Sequence, residues 1–78
     1  MMPSHHEYRG YVFRIEYQAE EPAYTAEFPD FREIITSGPT LSGAFANACE
    51  ALDLHLESIQ KLGETLPKPK HALRVQPV

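Results

Sequence analysis

Five carboxylates stand where a fold could gather them for chemistry. Glu16, Glu27 and Asp30 lie in or beside two predicted strands, and Glu50 and Asp53 lie in a predicted helix. Converging carboxylates can hold two divalent ions about 4 Å apart, an arrangement that hydrolyses phosphodiesters. Glu16 and Glu27, however, fall on the polar faces of their strands, so they would point away from a helix that covers the apolar face. We therefore predict solvated carboxylates without a metal or cofactor, and a divalent-metal nuclease remains the alternative.

The other side chains capable of catalysis or metal binding are isolated in the sequence. Cys49 is the single cysteine, so no intramolecular disulfide can form. It falls on the apolar stripe of the predicted helix with no base near it in the sequence, which predicts a buried, inert thiol. His5 and His6 belong to residues 1–7, which we expect to be disordered. Two adjacent histidines cannot face one ion from a fixed scaffold, so we expect no metal site at this pair. For the chain as a whole we predict no catalytic residue.

The length of the chain predicts one domain, residues 1–78, that needs a partner for stability. A chain of this size buries only about 60% of the surface that its unfolded form exposes. Association is the most direct source of additional buried surface, so we expect a homodimer or a higher homo-oligomer. No apolar run approaches the length of a membrane span. A single thiol and the lack of a signal peptide predict a cytoplasmic location.

Charge is unevenly distributed along the chain, whose net charge is −4. Residues 1–60 carry ten acidic and three basic side chains, whereas residues 61–78 carry one acidic and four basic side chains. An acidic body repels nucleic-acid phosphates and favours a basic protein partner.

The pattern of apolar residues predicts three strands before the helix. Residues 8–18 alternate between apolar and polar side chains, and residues 23–28 alternate again after a short polar connection, which predicts a hairpin. Pro29 ends the second strand because it has no N–H for the ladder. Residues 34–36 are β-branched and predict a third strand.

A long helix follows, from residue 41 to about residue 62. Thr40 is the predicted N-cap, and Gly63 is the predicted residue after the C-cap. Apolar side chains recur at helical spacing and form one stripe. The stripe consists of Leu41, Phe45, Ala48, Cys49, Leu52, Leu56 and Ile59.

The complete prediction is an α+β fold of the order β-β-β-α-β. A three-stranded antiparallel sheet is covered on one face by one long helix. An extended connector of residues 66–70 then leads to a short fourth strand at residues 72–76. The predicted core consists of Phe13, Ile15, Ala26, Phe28, Phe45, Leu52 and Leu56.

One motif runs through the second strand, the third strand and the helix. Its residues are Tyr24, Ala26, Phe28, Pro29, Asp30, Thr36, Gly38, Thr40, Leu41, Ala44, Asn47, Ala48, Glu50, Ala51 and Leu52. This motif resembles the core of the HicB antitoxin family, and the resemblance extends over roughly residues 8–70. It implies a partial ribonuclease H-like domain that binds a small basic HicA-like ribonuclease toxin.

The chain departs from the family pattern at three places, one of which is Pro39, where the family often has an acidic residue before the threonine that opens the helix. After Asp30 the family usually has Leu-Pro-Gly-Cys, whereas this chain has Phe-Arg-Glu-Ile, so we expect a reshaped connection into the third strand. Many family members also carry a DNA-binding domain after the helix. Too few residues follow Lys61 for a helix-turn-helix, so we expect no direct DNA binding.

Five residues are the predicted partner contacts. Glu16 and Glu27 would present charge on the outer side of the sheet, and Leu54 would expose an apolar side chain on the helix. Asp30 and Phe31 would shape the end of the second strand, although an aspartate after proline also commonly bonds its own downstream backbone. The resulting hypotheses are a toxin-binding antitoxin, an orphan domain with another partner or only itself, and a nuclease.

Overall fold

A computed structural model describes residues 3–72 as a four-stranded antiparallel sheet with one helix on one of its faces. The strands follow chain order across the sheet, so every pair of neighbours is joined by a tight connection. The elements are β1 (Ser4–Tyr8), β2 (Tyr11–Gln18), β3 (Ala23–Phe28), β4 (Phe31–Gly38) and α1 (Leu41–Lys61). The α+β class and the three predicted strands are confirmed, and the fourth strand of the sheet lies at the N-terminal end.

The prediction of disorder for residues 1–7 is wrong from Ser4 onward. Residues 4–8 form β1, which pairs with β2 in antiparallel register. Arg9 and Gly10 make the two-residue turn, with φ of 54° and 86°. Positive φ at both positions matches the twist that a hairpin needs, and glycine adopts it without strain. The predicted strand at residues 72–76 lies almost wholly outside the described residues, and Ala72 itself is not in a strand.

Both predicted ends of the helix are confirmed. The Thr40 hydroxyl accepts a hydrogen bond from the Gly43 N–H at 3.0 Å, which satisfies one of the unpaired donors of the first turn. At the other end, Gly63 has φ 76°, and the Glu64 N–H donates to the Ile59 carbonyl at 3.1 Å. This is the Schellman arrangement, which closes the last turn. Among the described residues no helix is long and apolar enough to cross a membrane.

The core lies between the helix and the sheet, and six of its seven predicted members are buried. Phe45 is the exception, since 37% of its surface is exposed. The buried residues of the helix are Ala44, Ala48, Leu52 and Leu56, which follow each other at intervals of four. Phe45 is one position round from this row, so it packs at the flank against His6 and Phe13. Within the predicted stripe, Ala48, Leu52 and Leu56 are buried and Cys49 and Ile59 are partly buried, whereas Leu41 and Phe45 are exposed.

The start of the helix lies very close to the end of β4. A Cβ atom added to Gly38 would stand 2.5 Å from the backbone nitrogen of Ala44. The Asn47 side-chain amide donates to the Ser37 carbonyl at 2.8 Å, which fixes the helix along the same strand. The small residues Gly38 and Ala44 therefore permit the helix to approach β4 closely, and the hydrogen bond between Asn47 and Ser37 sets the position of the helix along the strand.

Residues 64–72, hereafter the C-terminal connector, pass from the helix layer around the end of the sheet. Leu66 packs against the core, and the Tyr11 hydroxyl donates to the Pro67 carbonyl. Pro69 lies beside Gly10 in the β1–β2 turn. His71 then reaches the opposite face of the sheet, where it lines a groove. Residues 66–70 form neither helix nor strand, as a connector requires.

Replacing Leu52 by alanine should lower the free energy of unfolding by about 2–5 kcal/mol, because the side chain is fully buried. Leu54→Ala is the matched control: Leu54 is 58% exposed, so its truncation should cost less than about 0.5 kcal/mol. Denaturant melts of both variants measure the two losses. Equal losses would mean that the buried row of the helix has been assigned to the wrong residues.

Gly38→Ala should destabilise the fold by about 1–3 kcal/mol, since the new methyl group would meet the helix backbone rather than a movable side chain. Gly63→Ala provides the comparison, because no atom lies within 4 Å of its added Cβ and only the positive φ opposes the change. That strain should cost about 1 kcal/mol. A Gly38→Ala variant as stable as the wild type in urea would show that the close approach does not constrain the fold.

Candidate protein-binding site

The sheet face opposite the helix, here called the outer face, carries the charged side chains predicted to meet a partner. Arg14, Glu27 and Ile35 lie side by side across β2, β3 and β4 on this face. Glu16 lies two residues along β2 and therefore points to the same side. The helix covers only the other face, so the outer face is available as a surface for recognition.

Glu16 and Glu27 differ in how freely their carboxylates are presented. Glu27 forms an ion pair with Arg14, at 3.4 Å, and both side chains are about half exposed. An exposed pair of this kind contributes little to stability. Glu16 is partly buried, and its carboxylate accepts a hydrogen bond from the Gln18 amide at 3.4 Å. The structure thus places both residues on one face, and only Glu27 has a cationic neighbour among the described ion pairs.

A groove of about 670 Å³ occupies the part of the outer face nearest the C-terminal connector. Val12, Ile34 and Ile35 contribute apolar surface to it. Its polar lining is mostly basic, consisting of His5, Arg14, Arg32 and His71 beside Glu27. The sequence predicted a generally acidic surface, but these basic residues come together only because β1, β2, β4 and the connector meet here. The outer face is therefore mixed in charge.

Asp30 holds the connector in place. Its side chain is only 4% exposed, and it accepts hydrogen bonds from the Lys70 N–H at 3.2 Å and from His71 Nδ1 at 2.8 Å. Burial alone would raise the pKa of this carboxyl, but the bonds from His71 and Lys70 outweigh burial and lower the pKa below its usual value. The partners of Asp30 are thus distant in sequence rather than the next residues of a local turn.

Phe31 and Leu54 lie in different surroundings. Phe31 is buried against Tyr11 and the edge of the His55 ring, so it supports the sheet from within. His55 in turn contacts Glu33 at 2.9 Å. Leu54 is exposed on the helix and shares a shallow groove with Ile35 at the edge of β4. The five predicted contact residues therefore do not form one continuous patch.

The carboxylates considered for metal binding are dispersed. Glu16 and Glu27 are on the outer face, whereas Asp53 lies on the helix and accepts hydrogen bonds from Tyr8 and Arg9, each at 3.0 Å. Glu50 is exposed on the helix. Within residues 3–72, no three histidine, cysteine or acidic side chains lie close enough together to hold a metal ion. The carboxylates considered for metal binding are therefore not gathered at one place in residues 3–72.

His6 and Cys49 pack against neighbouring side chains in the described part of the chain. His5 and His6 point to opposite faces of β1, as alternation along a strand requires. His6 packs between Phe13 and Phe45, and this burial, with the nearby His5, lowers its pKa. Cys49 is half-buried, and burial followed by the charge of Asp53 raises the pKa of its thiol. A raised pKa keeps a thiol protonated and weakly nucleophilic.

The charged outer face of the sheet suits a protein-binding domain. A comparison of the sequence with models of protein families identifies the family. The model of the family described as HicB_like antitoxin of bacterial toxin-antitoxin system matches residues 11–76. The chain belongs to the HicB-like antitoxin family. Membership assigns this HicB-like domain an antitoxin role and implies a toxin as its partner. The match begins at β2, so β1 precedes the matched region.

No curated protein and no solved structure shows significant similarity to the chain. The likeness of this HicB-like domain to a partial ribonuclease H fold stays a prediction. The sequence signal for β1 was present in the Arg-Gly pair that separates two short runs able to pair, although Asn-Gly or Asp-Gly is the more usual form of that signal. The grouping of Arg14, Arg32 and His71 had no such signal, because it depends on the path of the connector.

Asp30→Asn should lower the free energy of unfolding at neutral pH by about 1.5–3 kcal/mol, the range for hydrogen bonds to a charged group. Since the folded state lowers the pKa of Asp30, its carboxylate stabilises the fold above its unfolded pKa of about 3.9, and this stabilisation is lost as the pH falls through the lower folded value. Urea melts of the wild type and Asp30→Asn should therefore differ at pH 7 and converge in acid.

Glu20→Gln is the control for this pH series, because Glu20 is exposed in the β2–β3 turn. It should leave the melts nearly unchanged at every pH. If Asp30→Asn behaved in the same way, the contacts of Asp30 with the connector would not contribute to stability.

Proposed function

We propose that this HicB-like domain neutralises a small basic HicA-type ribonuclease toxin by covering the surface with which the toxin holds RNA. The observation that carries the proposal is the display of Glu16 and Glu27 on the sheet face that the helix leaves open. Inhibition would then require only occlusion, with no chemistry by this chain.

Charge supports such a partner. A ribonuclease holds RNA phosphates with cationic side chains, and an acidic surface competes for the same groups. Glu20 and Glu21 lie exposed in the turn between β2 and β3, beyond the strand end that follows Glu16. The basic groove lies toward the opposite end of the sheet, near Asp30. A toxin should therefore approach the acidic end, where Glu16 and the two turn glutamates lie.

Electrostatic attraction of this type mainly accelerates association. Association rates of charged protein pairs rise above those of neutral pairs at low salt and fall as ionic strength increases. Dissociation depends more on apolar contacts and on buried hydrogen bonds. Charge reversal on the outer face should therefore change the rate of capture more than the lifetime of the complex.

The test is co-expression with a short basic HicA-like protein encoded beside this chain, followed by copurification and a growth assay. The wild-type chain should copurify with the toxin and restore growth. Glu16→Lys combined with Glu27→Lys should slow association at low salt by about tenfold or more. Glu50→Lys adds a positive charge at an exposed helix position and should have a smaller effect.

Failure to copurify together with persistent toxicity would refute the antitoxin proposal for that partner. Incubation of the purified chain with RNA and magnesium or manganese tests the nuclease alternative. Cleavage that Glu16→Gln or Asp30→Asn abolishes would establish the nuclease instead.

A further inference from the structure

We propose that the free edge of β4 joins the same edge of a second copy, which would form an eight-stranded sheet with both helices on one side. This inference specifies the surface for the self-association predicted from chain length. It concerns the edge of β4, whereas the toxin is proposed to approach the acidic end of the outer face. The argument depends on the composition of the two sheet edges, on the hydrogen-bonding groups of β4 and on the exposed side chains beside it.

The two edges of the sheet differ in how well they are protected. β1 is short and polar, with the sequence Ser-His-His-Glu-Tyr, and Pro3 precedes it. Proline and charged side chains are common means of preventing edge-to-edge pairing. β4 is eight residues long, and its section Ile34–Gly38 has no charged residue and no proline. Among the described strands, none pairs with the outer edge of β4. β4 is therefore the edge suited to pairing.

The backbone of β4 presents a donor and an acceptor at Ile35. The Ser37 carbonyl accepts a hydrogen bond from the Asn47 side chain of the helix, which indicates that this carbonyl points away from β3 and already has one partner. In a strand the backbone groups of alternate residues point to the same edge. The N–H and the carbonyl of Ile35 therefore point outward as well. Two copies related by a two-fold axis can exchange both hydrogen bonds at this residue.

Exposed apolar side chains flank this position. Ile35 is 69% exposed and Leu54 is 58% exposed, and both line the shallow groove between β4 and the helix. Ala51 and Ser58 contribute small side chains to the same groove. Single exposed leucines are common on protein surfaces, but an apolar pair beside an unpaired strand edge would be covered by strand addition.

A second copy fits this edge because β4 is complementary to itself. Pairing Ile35 with Ile35 of the second copy keeps the outer faces of the two sheets on one side and the helices on the other. It also places Glu33 opposite Ser37 of the second copy, so the acidic side chains do not face each other. Leu54 then faces the second helix. The β4 strand of each copy would supply backbone hydrogen-bonding groups and apolar side chains to the β4 edge of the other copy.

Salt distinguishes this association from toxin capture. Both copies carry a net charge of −4, so their repulsion opposes pairing and is screened at high ionic strength. The dimer should therefore become tighter as salt is added, whereas capture of a basic toxin should become weaker. The salt dependence of binding therefore distinguishes dimer formation from toxin capture.

The experiment uses cysteine cross-linking in the full chain. Ile35→Cys in a Cys49→Ser background should give a disulfide-linked dimer with a mild oxidant, because Cα atoms of a directly opposed, hydrogen-bonded pair lie about 5.5 Å apart. His5→Cys in the same background is the matched control, since His5 is exposed on the outer face of the other edge strand. It should remain largely without a disulfide cross-link under the same oxidation.

Sedimentation of variants without new cysteines provides the second measurement. The wild type should sediment as a dimer at tens of micromolar, and Ile35→Lys should weaken the dimer by on the order of tenfold or more, because like charges would face each other across the pair. Its thermal melt confirms that the fold is intact. A wild-type monomer, equal cross-linking at residues 5 and 35, or an Ile35→Lys dimer of unchanged strength would overturn the proposal.

Discussion

One helix has to cover a four-stranded sheet, and most features of this molecule follow from that constraint. The helix packs mainly on β4 and β3, with less contact on β2. It can lie close to β4 because Gly38 and Ala44 have little or no side chain at the approach. The position is favourable for packing at one side of the sheet, but it gives the inner surface of β1 and β2 less helical cover.

Aromatic side chains and the C-terminal connector complete the cover over β1 and β2. His6 and Phe45 pack together over Phe13 at one end, and Tyr8 donates to Asp53 of the helix nearer the other. Leu66 from the connector adds to the core. A domain this small gains a large part of its stability from such peripheral contacts, because its central core is limited. The N-terminal strand and the connector are therefore structural parts of the domain rather than appendages.

The sequence was sufficient where local chemistry determines structure. Alternation in β2 and β3, the Thr40 cap and the Gly63 termination each depend on neighbouring residues, and each was predicted. Phe45 was misplaced because a rotation of one position round the helix depends on where the helix sits on the sheet. The role of Asp30 could not be predicted either, since its partners are about 40 residues away and meet it only after the connector turns back. Sites that depend on the path of the chain can be located only from the structure.

The path of the C-terminal connector has a consequence for the order of folding and opening. The connector can dock only after the helix and the turn containing Asp30 are in place, so its contacts should form late. For the same reason it can detach without breaking a strand pair of the described sheet, since it holds no place in that sheet. Segments of this kind exchange their amide hydrogens through local opening, at a lower free energy than global unfolding. The outer groove is partly lined by His71 and Ala72, so its shape is coupled to this local equilibrium.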